Sequence, residues 1–408
     1  MGLKEHGFDP LIASFEHYRA DVEAVGLHFH ALRPAQEQIE SDLQLSRPEM
    51  IRAVRDQPQI MLTKFMLPYL RQTYDDSIAA MSEAALVFTS SIAFGAKLAA
   101  EKLGLPHFGV VLQPYSLLSA FDPPLIGNAQ QLSRMVYRTG RISTRAFLKV
   151  GRAVSNLWAR PIHRFRRDIG LSPASRHPFF EGQFTGGPAI GLYSKVLGDV
   201  QPDFPPRFVI AGFAFYDGPP TDEIVAREVE SFIAGGPPPI VFTQGTSAVH
   251  DSSEFAQVSV AAVRELNERA ILVLSDEHRS ERQGCASKDL LITGYLPYSK
   301  VFGRCKTIVH HGGIGTTAQA LRSGRPQLIA PYFVDQPDNA ARVARLSVAR
   351  VINPKHWTPR RVVEELQHID RDPAICARAQ RAADQIRREA AVETVVKLAV
   401  ETLSRILR

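Results

Sequence analysis

Residues 307–319 read TIVHHGGIGTTAQ. A short apolar run, Thr307 to Val309, meets two histidines, then three glycines and two threonines. That order predicts a buried strand that turns sharply into a helix, with glycines where the backbone must bend or be approached closely.

The surrounding segments repeat the pattern. PIVFTQG (239–245), ILVLS (271–275), LLITG (290–294), PQLIAP (326–331) and VARVI (348–352) are short apolar runs, most of them ending at Gly, Ser, Pro or a polar residue. Amphipathic stretches lie between several of them. In SEFAQVSVAAVREL, Phe255, Val258, Ala262, Val263 and Leu266 fall on one helical face, and in DNAARVARL, Ala340, Val343, Ala344 and Leu346 nearly do. Strands alternating with helices predict an α/β fold with a parallel, doubly wound sheet.

The N-terminal half is similar in kind. Residues 27–32, 85–90 and 107–114 read as strands, residues 91–104 as a helix stopped by Gly104, and 36–82 and 127–170 as long polar helices. A boundary is expected near GFAFYDGPPTDE (212–223), where glycines and Pro219–Pro220 break regular structure. The expected domains are 1–215, 216–390 and a basic amphipathic helix, 391–408, packing back on the N-terminal domain.

Length and composition bound the function. A chain of 408 residues is too long for one ordinary core. An excess of +6 is modest, and no basic block is interleaved with aromatics, so nucleic acid is not an expected partner. The three cysteines, Cys285, Cys305 and Cys376, form no C-x-x-C pair, which argues against a zinc site or a disulfide framework and fits a reducing cytoplasm. No run of about 18 apolar residues is present to span a bilayer, so membrane contact is expected to be peripheral at most.

Four corners at strand ends carry candidate chemistry, because ligands of open α/β sheets bind beyond the carboxyl ends of strands. In HHGGIGTT, Gly312, Gly313 and Gly315 let an anion approach a helix N-terminus. Thr316 and Thr317 add hydroxyls, and His310 and His311 add ring donors. A tight turn merely capped by these residues reads equally well. The order is neither G-x-G-x-x-G nor a P-loop with its lysine. In TQGTSA (243–248), Gly245, Thr246 and Ser247 offer further donors. In ITGYLPYSKVF (292–302), Tyr295 offers a stacking face and Leu296 a backbone edge. In APYFVDQPDNAARV (330–343), Asp335 and Gln336 offer a carboxylate beside an amide, a pair suited to sugar hydroxyls. Loop packing and helix capping remain alternatives for each, but the four corners follow different strands of one sheet.

Together these stretches resemble the C-terminal half of bacterial family 1 glycosyltransferases, which include macrolide, glycopeptide and sterol glycosyltransferases. AAEKLGLPHFGVVLQPYSLLSAFDPPL (99–125) and FRRDIGLSPASRHPFF (165–180) are similar to the N-terminal half. The resemblance implies a GT-B fold, two Rossmann-like domains with parallel sheets facing across a cleft, the N-terminal one incomplete at its start. It implies a UDP- or dTDP-hexose as donor substrate, no separate cofactor, no metal, and inverting transfer to a hydroxyl of a lipophilic small molecule. Tyr295 matches the base-stacking position. His310, Gly313 and Thr316 match diphosphate contacts, Thr246 a hydroxyl near the phosphates, and Asp335 and Gln336 the pair that grips the sugar.

One part of the family pattern has no counterpart. The general base usually sits in a glycine-rich loop after the first N-terminal strand. Here GLKEHGFDPLIASFEHYRADVEAVGLHFHAL (2–32) resembles the segment on the C-terminal side of that loop. The first strand, the loop and most of the first helix are therefore expected to be missing, and the base is left unassigned. His6 and His17 lie downstream of its expected position. A donor-binding or partner-binding protein that lacks the base and has no transfer activity is the rival reading, and a nucleotide-sugar epimerase a third. Oligomeric state is not legible.

Overall fold

The computed structural model describes residues 1–126, 129–218, 223–245 and 252–406. It divides into two compact units, Met1–Ala214 with Glu389–Arg408, and Phe215–Arg388.

The second unit is a six-stranded parallel sheet. Numbering strands through the chain, it contains β7 (Ile240–Thr243), β8 (Ala270–Val273), β9 (Leu290–Thr293), β10 (Thr307–His310), β11 (Gln327–Ile329) and β12 (Ala349–Val351), in the order β12-β11-β10-β7-β8-β9. Each apolar run read from the sequence is one of these strands. The connections from β7 run outward to one side and those from β10 to the other. β7 and β10 therefore flank the topological switch point, where doubly wound sheets bind ligands. The TQG corner follows one of these strands and the HHGG corner the other.

Both faces of this sheet are covered, which is why its strands read as continuous apolar runs rather than alternating ones. Ile240 and Phe242 of β7 enter a core with Phe255, Leu272, Trp357, Val362 and Leu366. Val241 faces the opposite core, with Val229, Ile271, Leu296, Phe302 and Ile308. Phe255, on the helix Ser252–Leu266, stacks on Trp357 with centroids 5.2 Å apart.

The first unit is built differently. β1 (Leu11–Ser14) and β2 (His28–Ala31) form a parallel pair of their own. β3 (Val87–Ser90), β4 (His107–Val111), β5 (Ala189–Gly191) and β6 (Val209–Ile210) form a separate parallel sheet in that order. Sequence reading missed β1, β5 and β6, which are only two to four residues long. Leu11 and Ile12 of β1 are exposed, whereas β4 is buried at Phe108 and Val111. The helix Phe94–Leu103 ends in Gly104 at φ 66, a left-handed stop where glycine carries no Cβ penalty. Helices fill most of 36–82 and 127–170, as expected, in several separate lengths. Gln44 adopts a left-handed conformation, Pro58 starts a new turn, and Gly140 at φ 113 separates Gln130–Arg138 from Arg141–Trp158. The helix Ala391–Ile406 places Ala391 in a core with Phe108, Ile190 and Ala211 of the first unit.

Replacing Phe255 by Ala should destabilise the second unit by about 3–5 kcal/mol through lost burial and a residual cavity. Denaturant unfolding followed by Trp357 fluorescence in a Trp158→Phe background measures it. A loss below about 1 kcal/mol would contradict the described packing.

Candidate functional site

The corner after β10 is held by a histidine that faces inward. His310 is fully buried; its Nε2–H donates to Gln327 Oε1 on β11 at 2.9 Å, and its Nδ1 accepts from the Gly312 amide at 3.1 Å. Burial pushes its pKa down to about 4. Both ring nitrogens are thus occupied inside the fold. This corrects the expectation that His310 contacts the diphosphate: its ring is committed to the sheet and the turn.

His311, by contrast, is left without a partner. Its ring is 1% exposed, and neither nitrogen has a hydrogen-bond partner. Burial, with His310 alongside, holds its pKa down to about 3, so the ring is neutral. The ring packs between Gly245, after β7, and Gly313, after β10. A Cβ on Gly313 would lie 2.3 Å from His311 Nε2, and one on Gly245 would lie 2.6 Å from Cε1. One glycine from each of the two corners is therefore required by this imidazole. Gly312 is required for another reason: its φ is 87, and an added Cβ would press on Ile329 and on the Gln336 carbonyl.

The helix Ile314–Ser323 begins with Gly313 as its N-cap, and no side chain caps it. Thr317 N–H is the first to find a backbone acceptor, the Gly313 carbonyl at 2.9 Å. The preceding amides, of Ile314, Gly315 and Thr316, have none among the described residues. The Thr316 side chain lies beside Gly245, its Oγ1 3.2 Å from where a Cβ there would stand. A Cβ on Gly315 would meet nothing within 4 Å, so packing does not require glycine at that position. An uncapped helix N-terminus, a threonine hydroxyl and an unpaired buried imidazole make an arrangement suited to a phosphate.

The neighbouring corner is tied to this one by Asn339, which sequence reading did not single out. Asn339 Nδ2 donates to the Gly312 carbonyl at 3.0 Å and to Asp335 Oδ2 at 2.7 Å. Asp335 is half-buried, and burial raises its pKa against the lowering effect of that hydrogen bond. Gln336 Oε1 accepts from the Tyr332 amide at 2.8 Å, so the side-chain carbonyl braces its own loop and leaves the NH2 group as the donor. Within that loop Val334 sits at φ 56, a left-handed conformation that a β-branched residue rarely adopts.

Tyr295 is 43% exposed, and its hydroxyl donates to the Asp217 carbonyl. Asp217 Oδ1 in turn accepts from Gln319 Nε2 at 3.0 Å, which links the tyrosine to the corner helix. Leu296 is wholly buried in the core, so only its backbone can meet a ligand. Thr246 and Ser247 lie outside the described residues. Before them, Gln244 is buried with both amide atoms unpaired, and the Gly245 amide donates to Thr243 Oγ1, itself hydrogen-bonded to the Tyr298 hydroxyl at 2.8 Å. In the first unit His6 and His17 are exposed. His6 Nδ1 bonds the Gly2 carbonyl and His17 packs on Tyr18. A separate cavity of about 260 Å³ in that unit, beside Lys97, Glu101 and Arg166, is remote in sequence from the glycine corners.

The fold is an α/β architecture of the GT-B class. Residues 257–402 match the family described as erythromycin biosynthesis protein CIII-like, C-terminal domain. The chain is 27% identical to the O-mycaminosyltylonolide 6-deoxyallosyltransferase of Streptomyces fradiae, over 98% of this chain and 92% of that one. Among solved structures, CalG4, the calicheamicin glycosyltransferase, superposes with a TM-score of 0.71 at 13% identity, covering 100% of this chain and 95% of that one. Glycosyltransferase VinC in complex with dTDP gives 0.67 at 20%, covering 99% and 94%. The chain is thus similar, over nearly its whole length, to bacterial glycosyltransferases of the antibiotic-biosynthesis type.

Two outcomes check this geometry. The unfolded chain protonates its histidines near pH 6.5, whereas His310 and His311 protonate near 4 and 3 in the fold. Between those values the unfolded state binds more protons, so stability rises with pH. Stability should be full above about pH 6.5 and fall towards pH 4, with a slope of up to about 1.4 kcal/mol per pH unit for each histidine. Urea midpoints from neutral to mildly acidic pH measure it, and a flat profile contradicts the burial. Second, Val334→Gly should raise stability by about 1 kcal/mol by relieving the left-handed valine. Thermal unfolding of the two proteins compares them directly, and a lowered Tm would show the valine to be unstrained.

Proposed function

We propose that the protein transfers a hexose from a UDP- or dTDP-sugar to a hydroxyl of a lipophilic small molecule, with inversion and without a metal ion or other cofactor. One observation carries the donor half of this reading: the buried, unpaired His311 imidazole beside the uncapped amides of Ile314, Gly315 and Thr316. The family match over residues 257–402 and the similarity to a 6-deoxyallosyltransferase support the transfer itself. The dTDP carried by the VinC structure supports the class of donor.

In this reading the acceptor hydroxyl attacks the anomeric carbon from the face opposite the diphosphate. The bond from that carbon to the phosphate oxygen breaks, and the hydroxyl proton passes to a general base. Negative charge grows on the departing diphosphate, where the helix amides, the Thr316 hydroxyl and a neutral His311 N–H would stabilise it. Tyr295 would stack on the base of the nucleotide, with the Leu296 backbone at its edge. Gly312, Gly313 and Gly315 would admit the phosphates, and Thr246 and Ser247 would add hydroxyls from the β7 corner. Asp335 and the Gln336 NH2 group would take the sugar hydroxyls, and Asn339 would hold Asp335 in place. His310 would act through the turn rather than on the ligand.

A second reading, nucleotide-sugar binding without transfer, is favoured by the first unit. There β1 and β2 stand apart from the β3–β6 sheet, and His6 and His17 lie in exposed local contacts. Donor hydrolysis and transfer assays separate the two, since binding without either reaction supports the second.

Calorimetric titration with UDP and dTDP tests the donor site, and no heat with either would refute it. His311→Ala and Thr316→Ala should each weaken binding by roughly 1–3 kcal/mol if they hydrogen-bond phosphate. Gly315→Ala is the sharper variant. It should leave the fold intact or stabilise it by about 0.5–1 kcal/mol, because alanine favours the helix, while still weakening nucleotide binding. Unchanged affinity would mean that the helix N-terminus does not receive the phosphates.

A further inference from the structure

The positive charge of the chain is concentrated in one segment. Residues 123–167 contain ten Arg and Lys and no Asp or Glu. The rest of the protein, with 38 Lys and Arg against 42 Asp and Glu, is net acidic. The segment folds into three helices, Gln130–Arg138, Arg141–Trp158 and Arg160–Asp168. The first two pack together through Tyr137 and Phe147, whose rings meet edge to face with centroids 6.1 Å apart.

Two of the ten cations serve the fold. Arg152 pairs with Glu181 and Arg166 with Glu101. The other eight, Arg134, Arg138, Arg141, Arg145, Lys149, Arg160, Arg164 and Arg167, are exposed. None of them lies within 4 Å of a carboxylate among the described residues. Arg141 instead covers the ring of Phe121, 4.5 Å from its centroid.

The first two of these helices also expose large apolar side chains. Ile142 is 89% exposed, Val150 62% and Met135 61%, and Leu132, Val154 and Leu157 are about half exposed. Their arrangement is ordered. At 3.6 residues per turn, Ile142, Ala146, Val150, Ala153, Val154 and Leu157 fall within an arc of about 120°. Arg141, Arg145 and Lys149 occupy the arc beside it, of about 80°. Thr144, Leu148 and Ser155 face the protein from the remaining side. Trp158, partly exposed, closes the stripe. A soluble helix ordinarily turns such a stripe inward. An outward apolar stripe flanked by unpaired cations is the pattern of helices that lie in a membrane interface, with tryptophan at headgroup depth.

We propose that this three-helix face docks the protein on an anionic lipid bilayer, with the stripe from Ile142 to Leu157 entering the headgroup region. Arg138, Arg145 and Lys149 meet the lipid phosphates. Charge complementarity selects this occupant: uninterrupted cations favour an anionic surface, and the apolar stripe distinguishes a bilayer from a soluble polyanion. No helix among the described residues is long and apolar enough to cross a membrane, so the contact is interfacial. The basic face belongs to the first unit and the nucleotide site to the second, so either can exist without the other.

Flotation of the full chain with phosphatidylcholine vesicles, with and without about one third phosphatidylglycerol, tests it. The protein should float with the anionic vesicles at least tenfold more than with neutral ones, and should be released as salt rises from about 0.05 to 0.5 M. Arg138→Glu/Arg145→Glu/Lys149→Glu should lower the vesicle partition coefficient by about 100-fold, from about fivefold per cation near an anionic surface. Ile142→Ser/Val150→Ser, at exposed positions, should lower it at least tenfold while leaving nucleotide binding and helicity unchanged. Trp357 is buried, so a blue shift of tryptophan emission on vesicle addition would report Trp158. Equal flotation with both vesicle types would overturn the proposal. Vesicle binding insensitive to the Ile142/Val150 change would do so too, since the face would then serve a soluble polyanion or an acidic protein.

Discussion

The candidate site depends on how one imidazole is held. His310 donates to Gln327 and accepts from the Gly312 amide, so a single ring joins β10, β11 and the turn after β10. A buried ring with both nitrogens satisfied is rigid, because breaking either bond leaves a buried polar atom unpaired. The turn is therefore fixed before any ligand arrives. With the turn fixed, the next residue, His311, is held between the glycines that come after β7 and β10.

From there the wiring runs outward in two directions. Asn339 ties the Gly312 carbonyl to Asp335, so the glycine corner after β10 and the corner after β11 share one hydrogen-bonded link. Gln319 and Asp217 connect the corner helix to Tyr295. Preorganisation of this kind matters for a leaving group that gains charge, because donors already oriented need not reorganise during the reaction. The two parts of the unit have different tasks. The apolar cores on both faces of the sheet supply stability, while the unpaired buried side chains of Gln244 and His311 lie at the switch point.

The first unit follows another logic. Its β1–β2 pair is separate from the four-stranded sheet and exposes Leu11 and Ile12. Two of its three basic helices turn apolar side chains and unpaired cations outward together. Whole-chain charge conceals this: an excess of +6 looks like an ordinary solvated surface until the positions of the acidic residues are traced.

The sequence alone determined the class of fold. Apolar runs spaced by amphipathic helices are local signals, and in a sheet buried on both faces they are strong, so all six strands of the second unit are legible. The short strands β5 and β6 are not, because two or three residues carry no periodicity. The candidate corners were also legible, since glycines after apolar runs mark strand ends. Only the tertiary structure decided which histidine is free. Alternation cannot distinguish His310 from His311 when both faces of β10 are buried. The choice rests on Gln327, seventeen residues away, and on the turn amide that accompanies it. Asn339 was hidden for the same reason: its side chain acts on a carbonyl distant in sequence, and only folding brings the two within reach.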